Sequence, residues 1–195
     1  MTATDAEIIE RSRREPESFA EIFDRHAPHI HRYLARRLGR EAADDAVAET
    51  FLAAFDKRER YDRGRPDARP WLYGIATNVA GGHRRAEARR FGARPHPVDA
   101  HDHADRVAAD VTARSLRAQL TAALGALSPG DRDVLLLIAW EQLAYEEVAS
   151  ALDIPVGTVR SRLNRARRLV REALGATSTT DTIEELLNNG QHQAR

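Results

Sequence analysis

Cysteine is absent from this chain of 195 residues, which excludes disulfides, thiolate zinc sites, iron–sulfur clusters and a cysteine nucleophile. Any redox sensing therefore has to reside in a partner. Lysine is almost absent: Lys57 is the only one among 30 basic residues, and arginine supplies the rest. Arginine keeps its charge and grips phosphate or carboxylate in a two-pronged fork. Aromatics are 6% of the chain, with 11 glycines and 8 prolines, too few for a strand-rich barrel or sandwich. Net charge is also missing, because 30 Lys+Arg stand against 30 Asp+Glu. Taken alone, that zero argues against a nucleic-acid partner, which usually draws on a basic excess. No apolar run approaches the roughly twenty residues of a membrane span. The first residues, Met1 to Glu17, are charged and lack the apolar centre of a signal peptide. These absences fit a cytoplasmic chain with no membrane contact. What is present is 42% hydrophobic and 31% charged residues, enough for one core, or for two small ones at this length.

The apolar spacing is helical nearly throughout. Phe19, Ile22, Phe23, Ala27, Ile30, Tyr33 and Leu34 recur at three- and four-residue steps and predict one amphipathic helix. A second helix follows Gly39, with Val47, Phe51, Ala54 and Phe55 on one side. Asp62 to Pro70 reads as a charged turn-rich loop. A third helix begins near Pro70, carries Trp71, Leu72, Ile75, Ala76 and Val79, and ends in the basic stretch His83 to Arg90. Of the two aromatics that open it, Trp71 is expected in the core. From Phe91 to about Asp110, prolines, histidines and aspartates replace large apolar residues, the composition of a flexible linker. Its His96, His101 and His103 lack a rigid scaffold, so no metal site is expected there. Leu116, Leu120, Ala123, Leu124 and Leu127 open a second helical region. Ser128-Pro129-Gly130-Asp131 is a helix start, with Ser128 as cap and Pro129 in the first turn. The apolar run that follows must be buried. After Gly175 the tail is polar.

The strongest pattern lies between Leu143 and Leu174. Tyr145, Val148, Ala149 and Leu152 mark a short helix, and Asp153-Ile154-Pro155 breaks it. Val159, Leu163, Ala166 and Val170 mark the buried side of a second helix. Two short helices joined by a tight turn read as a helix-turn-helix. Charge separates the pair. Ser128 to Pro155 holds six acids and one arginine, whereas Val156 to Arg171 holds six arginines and no acid. Such a unit places the start of its second helix in the major groove, which makes Thr158, Arg160, Ser161, Arg162, Asn164 and Arg165 the candidates for base edges and flanking phosphates. A solvated basic helix end accounts for Arg167 to Arg171. It does not account for Arg160 and Arg162, whose charge opposes the helix dipole.

The segment LAYEEVASALDIPVGTVRSRLNRARRLVRE resembles the promoter-binding region four of bacterial sigma factors of the extracytoplasmic-function (ECF) class, in the sigma-70 family. The first half adds to the resemblance. Asp45 to Phe51 (DAVAETF) is similar to the core-binding segment of sigma region two, and Trp71 to Asn78 (WLYGIATN) to the segment that engages the minus-ten element. The resemblance implies an all-α fold of two small helical domains joined by a flexible linker, the second a helix-turn-helix, winged-helix-like DNA-binding domain. It divides the chain into an N-terminal segment (1–17), region two (18–90), linker (91–113), region four (114–175) and tail (176–195). It implies core RNA polymerase and promoter DNA, as duplex and as melted strand, as partners. An anti-sigma factor is a further partner open to the class. No cofactor or metal is implied, and no catalysis.

Residues carry these roles by analogy. Asp45 and Glu49 share one side of a helix, with Ala48 between them, and form a docking face for polymerase. An ordinary solvated acidic face is the other reading of the same residues. Arg65, Arg69, Asn78, Arg84 and Arg85 suit a separated strand, with charge on phosphate and the amide on a base. The Asp62–Arg69 loop is the counterpart of one that holds an extruded base. Three departures stand out. Gly81-Gly82 replaces a stretch that usually holds an aspartate and is expected to bend or fray the helix. Ala144 removes a hydroxyl cap, and Asp153 replaces a glycine at the turn.

Two other function classes compete. A stand-alone helix-turn-helix regulator would bind duplex DNA without polymerase, usually as a dimer. An enzyme would have to draw on His26, His29 and His31 near Asp24, on a helix with no shaped pocket in prospect.

Overall fold

The computed structural model describes residues 3–91 and 111–175. The linker residues 92–110, with His96, His101 and His103, and the tail from 176 lie outside the described residues. The described parts are helical, with no strand among them, and fall into two compact units. The first holds α1 (Asp5–Arg11), a 3₁₀ turn (Pro16–Phe19), α2 (Ala20–Leu38), α3 (Arg40–Lys57), a second 3₁₀ turn (Arg58–Arg60) and α4 (Arg69–Phe91). The second holds α5 (Val111–Ala126), α6 (Pro129–Ala139), α7 (Tyr145–Leu152) and α8 (Val156–Gly175). Residues 111–113, which the sequence reading assigns to the linker, begin α5.

In the first unit α2, α3 and α4 pack on one another. Gly39 alone joins α2 to α3, at φ 82° and ψ 162°, a region that a side chain essentially forbids. Ile22, Ile30, Tyr33 and Leu34 of α2, Ala46, Val47, Phe51 and Ala54 of α3, and Leu72, Tyr73, Ile75 and Ala76 of α4 are all buried in this three-helix packing. Two aromatics differ from expectation. Phe23 is 44% exposed and lies edge-on to Phe51, ring centroids 4.9 Å apart. Trp71 is only half-buried and stacks edge-on with Tyr61 at 5.0 Å, while Tyr73 takes the core position beside Tyr33. The inward side of α4 is set by Leu72, Tyr73 and Ala76, and Trp71 falls on its flank.

Helix α1 is an element that the periodic apolar pattern alone does not disclose. A reciprocal capping box starts it: the Thr4 hydroxyl accepts from the Glu7 amide at 3.3 Å, and the Glu7 carboxylate accepts from the Thr4 amide at 2.7 Å. Ile8 and Ile9 then anchor it, with 0% and 2% exposure. Burial of each contributes roughly 2 kcal/mol.

In the second unit α8 packs against α5, α6 and α7. Ser128 caps α6 through a bond from the Asp131 amide, and Pro129 occupies its first turn. Arg132 is buried and donates to the carbonyls of Leu124, Gly125 and Leu127, at and just beyond the end of α5 where helix carbonyls lack helical partners. The turn after α7 is closed by Asp153 in the left-handed conformation and by the Ile154 amide bonding Ala149. No wing follows among the described residues.

Candidate nucleic-acid and polymerase interface

The helix-turn-helix candidates do not share one face. An α-helix turns about 100° per residue, and the buried side of α8 is fixed by Val159, Leu163, Ala166 and Val170. Ser161 and Asn164 are exposed on the side away from it, and the exposed Arg160 lies about a quarter turn from it. Thr158, Arg162 and Arg165 fall on the flank nearer α6. Arg162 is partly buried, and its guanidinium lies over Gly130, where a β-carbon would come within 2.7 Å. Arg165 donates to Asp131 at 3.0 Å, a carboxylate buried at the start of α6. Arg160 forms no hydrogen bond or ion pair among the described residues. Its cationic end is available where α8 begins.

Three arginines of α8 lie beyond the predicted set. Arg168 and Arg171 continue the exposed stripe of Arg160 and Asn164. Arg167 is buried at 7% exposure, so the expected solvated basic helix end does not describe it. It sits next to Ala166 on the inward side of α8, and its stem adds to the packing there.

On α3, Asp45, Ala48 and Glu49 are all exposed on one face, and Leu52 extends it by one turn. Leu52 is 63% exposed, the largest exposure of any large apolar residue described. An exposed leucine between carboxylates marks a contact surface more strongly than the acids alone. The signal was present at spacing 45, 48, 49, 52, but a lone leucine on a helix reads as core until the packing is known. The Glu49 carboxylate also meets His83 Nε2 of α4 at 3.1 Å.

On α4, Asn78 and Arg85 share an exposed stripe, separated by about 10 Å along the axis. Arg84 is partly buried to one side of it. Arg69 opens the helix about half a turn away and is paired with Asp67, its Nη2 2.8 Å from the carboxylate. The helix continues through Gly81-Gly82 to Phe91 without the expected break. Neighbouring turns supply the support that the glycines lack. A β-carbon at Gly81 would come 3.2 Å from Arg85 Nη1, whereas one at Gly82 would meet nothing. Gly81 thus leaves room for the Arg85 side chain to lie back along the helix.

The loop before α4 is tightly organised. Tyr61 donates from its hydroxyl to the Arg65 carbonyl at 2.7 Å, and Asp62 accepts from the Gly64 amide at 3.0 Å. Arg65 points outward and pairs with Asp62 at 3.4 Å. Burial raises the Tyr61 hydroxyl well above the usual phenol range, reinforced by the negative field of Asp5 and Asp67, so it remains a donor.

The histidines considered for catalysis are dispersed. His26 is buried against Asp5, His29 contacts Arg32 at 2.8 Å, and His31 contacts Asp44 at 3.1 Å. No group of three or more metal-ligating side chains forms among the described residues. No described helix is long and apolar enough to cross a membrane.

The family description "Sigma-70 region 2" matches residues 22–90, and "Sigma-70, region 4" matches residues 117–170. The chain is 34% identical to the RNA polymerase sigma factor CarQ of Myxococcus xanthus over 166 residues, covering 82% of this chain and 90% of that protein. It is 33% identical to the ECF RNA polymerase sigma factor SigE of Mycolicibacterium smegmatis, covering 83% of this chain and 63% of that one. Among solved structures, CnrH in complex with the cytosolic domain of CnrY aligns with a TM-score of 0.63 at 26% identity, over 89% of this chain and 99% of that one. RpoE of Bartonella quintana, in complex with the anti-sigma factor NepR, aligns with a TM-score of 0.64 at 23% identity, over 83% and 99%, a likeness of fold.

Proposed function

The chain belongs to the sigma-70 family of RNA polymerase sigma factors, in its extracytoplasmic-function class, and from that membership we propose how its surfaces divide the work of initiation. A sigma factor binds core RNA polymerase and directs promoter recognition and melting. In this chain the α8 stripe of Arg160, Ser161 and Asn164 reads the minus-thirty-five duplex, with Arg168 and Arg171 on phosphate farther along. Thr158, Arg162 and Arg165 support that helix from its α6 flank and reach the groove edge. The α3 face of Asp45, Ala48, Glu49 and Leu52 docks on polymerase. Asn78 and Arg85, with Arg65, Arg69 and Arg84 around them, capture the melted minus-ten strand, and the 62–69 loop holds its extruded base.

The observation that carries the DNA reading is the position of Arg160. In the second turn of α8 this cation gains nothing from the helix dipole, and it is exposed with no ion-pair or hydrogen-bond partner among the described residues. Phosphate supplies the missing charge. Melting draws on the binding energy of the unpaired strand, since the sequence contains no Gly-rich nucleotide loop. The protein thus acts on the chromosome, in the cytoplasm, without catalytic chemistry of its own. An anti-sigma factor that covers these surfaces fits the class.

The test adds the purified chain to core polymerase and measures transcription from a randomised promoter library. Promoter-dependent transcripts are expected only when both are present. Clean duplex binding by the chain alone, with no transcript from any template, would instead establish the stand-alone regulator.

A further inference from the structure

The acidic residue at the start of α1 joins three parts of the first unit that are far apart in sequence. Asp5 is 4% exposed. Its carboxylate accepts from Arg25 Nη1 at 2.6 Å, from His26 Nε2 at 2.7 Å and from the Ala68 amide at 2.9 Å. Its own amide donates to the Pro66 carbonyl at 3.1 Å. One residue therefore holds the loop on both sides of Asp67, while α2 holds that residue. Glu10, farther along α1, pairs with Arg63 at 2.8 Å and adds a third tie to the same loop. A core role alone would be served by Ile8 and Ile9. The polar contacts of Asp5 and Glu10 go instead to the segment that precedes α4.

We propose that α1 is a strut for the 62–69 loop and that Asp5 is a positioning residue for minus-ten strand recognition. Asp5 touches no nucleotide. It fixes the backbone at Pro66 and Ala68, and thereby the outward direction of Arg65 and the start of α4. A loop that must receive one base needs its shape settled beforehand, because ordering it on binding would consume part of the discrimination. The inference rests on the strand reading given above for this loop.

The experiment uses holoenzyme assembled from core polymerase and full-length chain, with a promoter library randomised across both elements and transcripts counted by sequencing. Arg65→Ala with Arg69→Ala first identifies the minus-ten positions whose base preference the loop supplies. Asp5→Ala is then expected to flatten preference at those same positions by about tenfold, within the range that one base contributes to discrimination. Preference at the minus-thirty-five element and affinity for core polymerase should stay within about twofold of wild type. Asp5→Asn keeps one oxygen acceptor and should restore part of the preference, and it also serves if the alanine variant does not fold. An unchanged profile in the asparagine and alanine variants, or an equal loss at every position and element, overturns the proposal. If the loop substitutions themselves leave every minus-ten preference intact, the strand reading fails and takes this inference with it. If they remove a preference that Asp5→Ala retains, only the role of Asp5 is lost.

Discussion

At the scale of single residues, three positions give direct predictions. Ala144 stands before α7 with only half of a capping box: the Glu147 carboxylate accepts from its amide at 2.7 Å, but alanine has no oxygen to return the bond. Ala144→Ser should stabilise the second unit by about 1 kcal/mol, seen as a higher urea midpoint at unchanged slope. Gly39 presents the opposite case. Its positive φ means that Gly39→Ala should cost about 1–3 kcal/mol, read the same way in the first unit. Asp5 makes stability depend on pH. Burial pushes its carboxyl up, but the bonds from His26, the Ala68 amide and Arg25 outweigh burial and hold it at about 2. A depressed carboxylate contributes fully above its unfolded value near 3.8 and loses that contribution as pH falls toward 2. Wild type should therefore exceed Asp5→Asn by a margin that shrinks by about 2 kcal/mol between pH 5 and pH 2, measured by denaturant titration at each pH. A margin independent of pH would show that the charge of Asp5 is not what its neighbours stabilise. The role of this aspartate was not legible in the sequence, because its partners lie about twenty and sixty residues away.

At the scale of elements, α8 shows how far periodicity reaches. Apolar spacing placed Val159, Leu163, Ala166 and Val170 correctly inside. The sequence could not tell which of the remaining positions would be claimed by α6. Packing turned Arg165 toward Asp131 and Arg162 over Gly130, and left Arg160 and Asn164 outward. Arg160→Ala should therefore weaken promoter binding and lower the slope of log affinity against log salt by about one, the signature of one lost phosphate contact. Fluorescence anisotropy of the holoenzyme on a minus-thirty-five duplex, from low to moderate salt, measures both. Helix α1 marks the other limit of periodicity. Seven residues are too few for a periodic stripe, so only the Thr4-x-x-Glu7 box and the Ile8-Ile9 pair announce it.

At the scale of the whole molecule, the absence of net charge reflects separation of charge. The run from Val156 to Arg171 holds six arginines and no acid, while acids collect before it and on α3. Each surface can thus carry the sign its partner requires while the chain as a whole stays neutral. The α3 face offers the matching test. Leu52→Asp replaces an exposed side chain and should leave the melting temperature within about 2 °C. It should reduce affinity for core polymerase by at least about tenfold if Leu52 anchors the contact. Titration of labelled chain into core polymerase gives the affinity, and an unchanged value would remove Leu52 from the interface.

The sequence by itself determined the helical class, the helix-turn-helix and the family. Those rest on local spacing, on helix signals such as Ser128-Pro129, and on the order of the two motifs, all of which are properties of neighbouring residues. Tertiary structure alone decided which polar groups meet. It tied Arg165 to Asp131, placed Tyr73 inside and Trp71 on the flank, left Leu52 in solvent, and brought Asp5 against His26 and Ala68. The physical reason is that helix periodicity fixes direction around one axis and carries no information about the neighbour that stands in that direction. A hydrogen bond or an ion pair needs both.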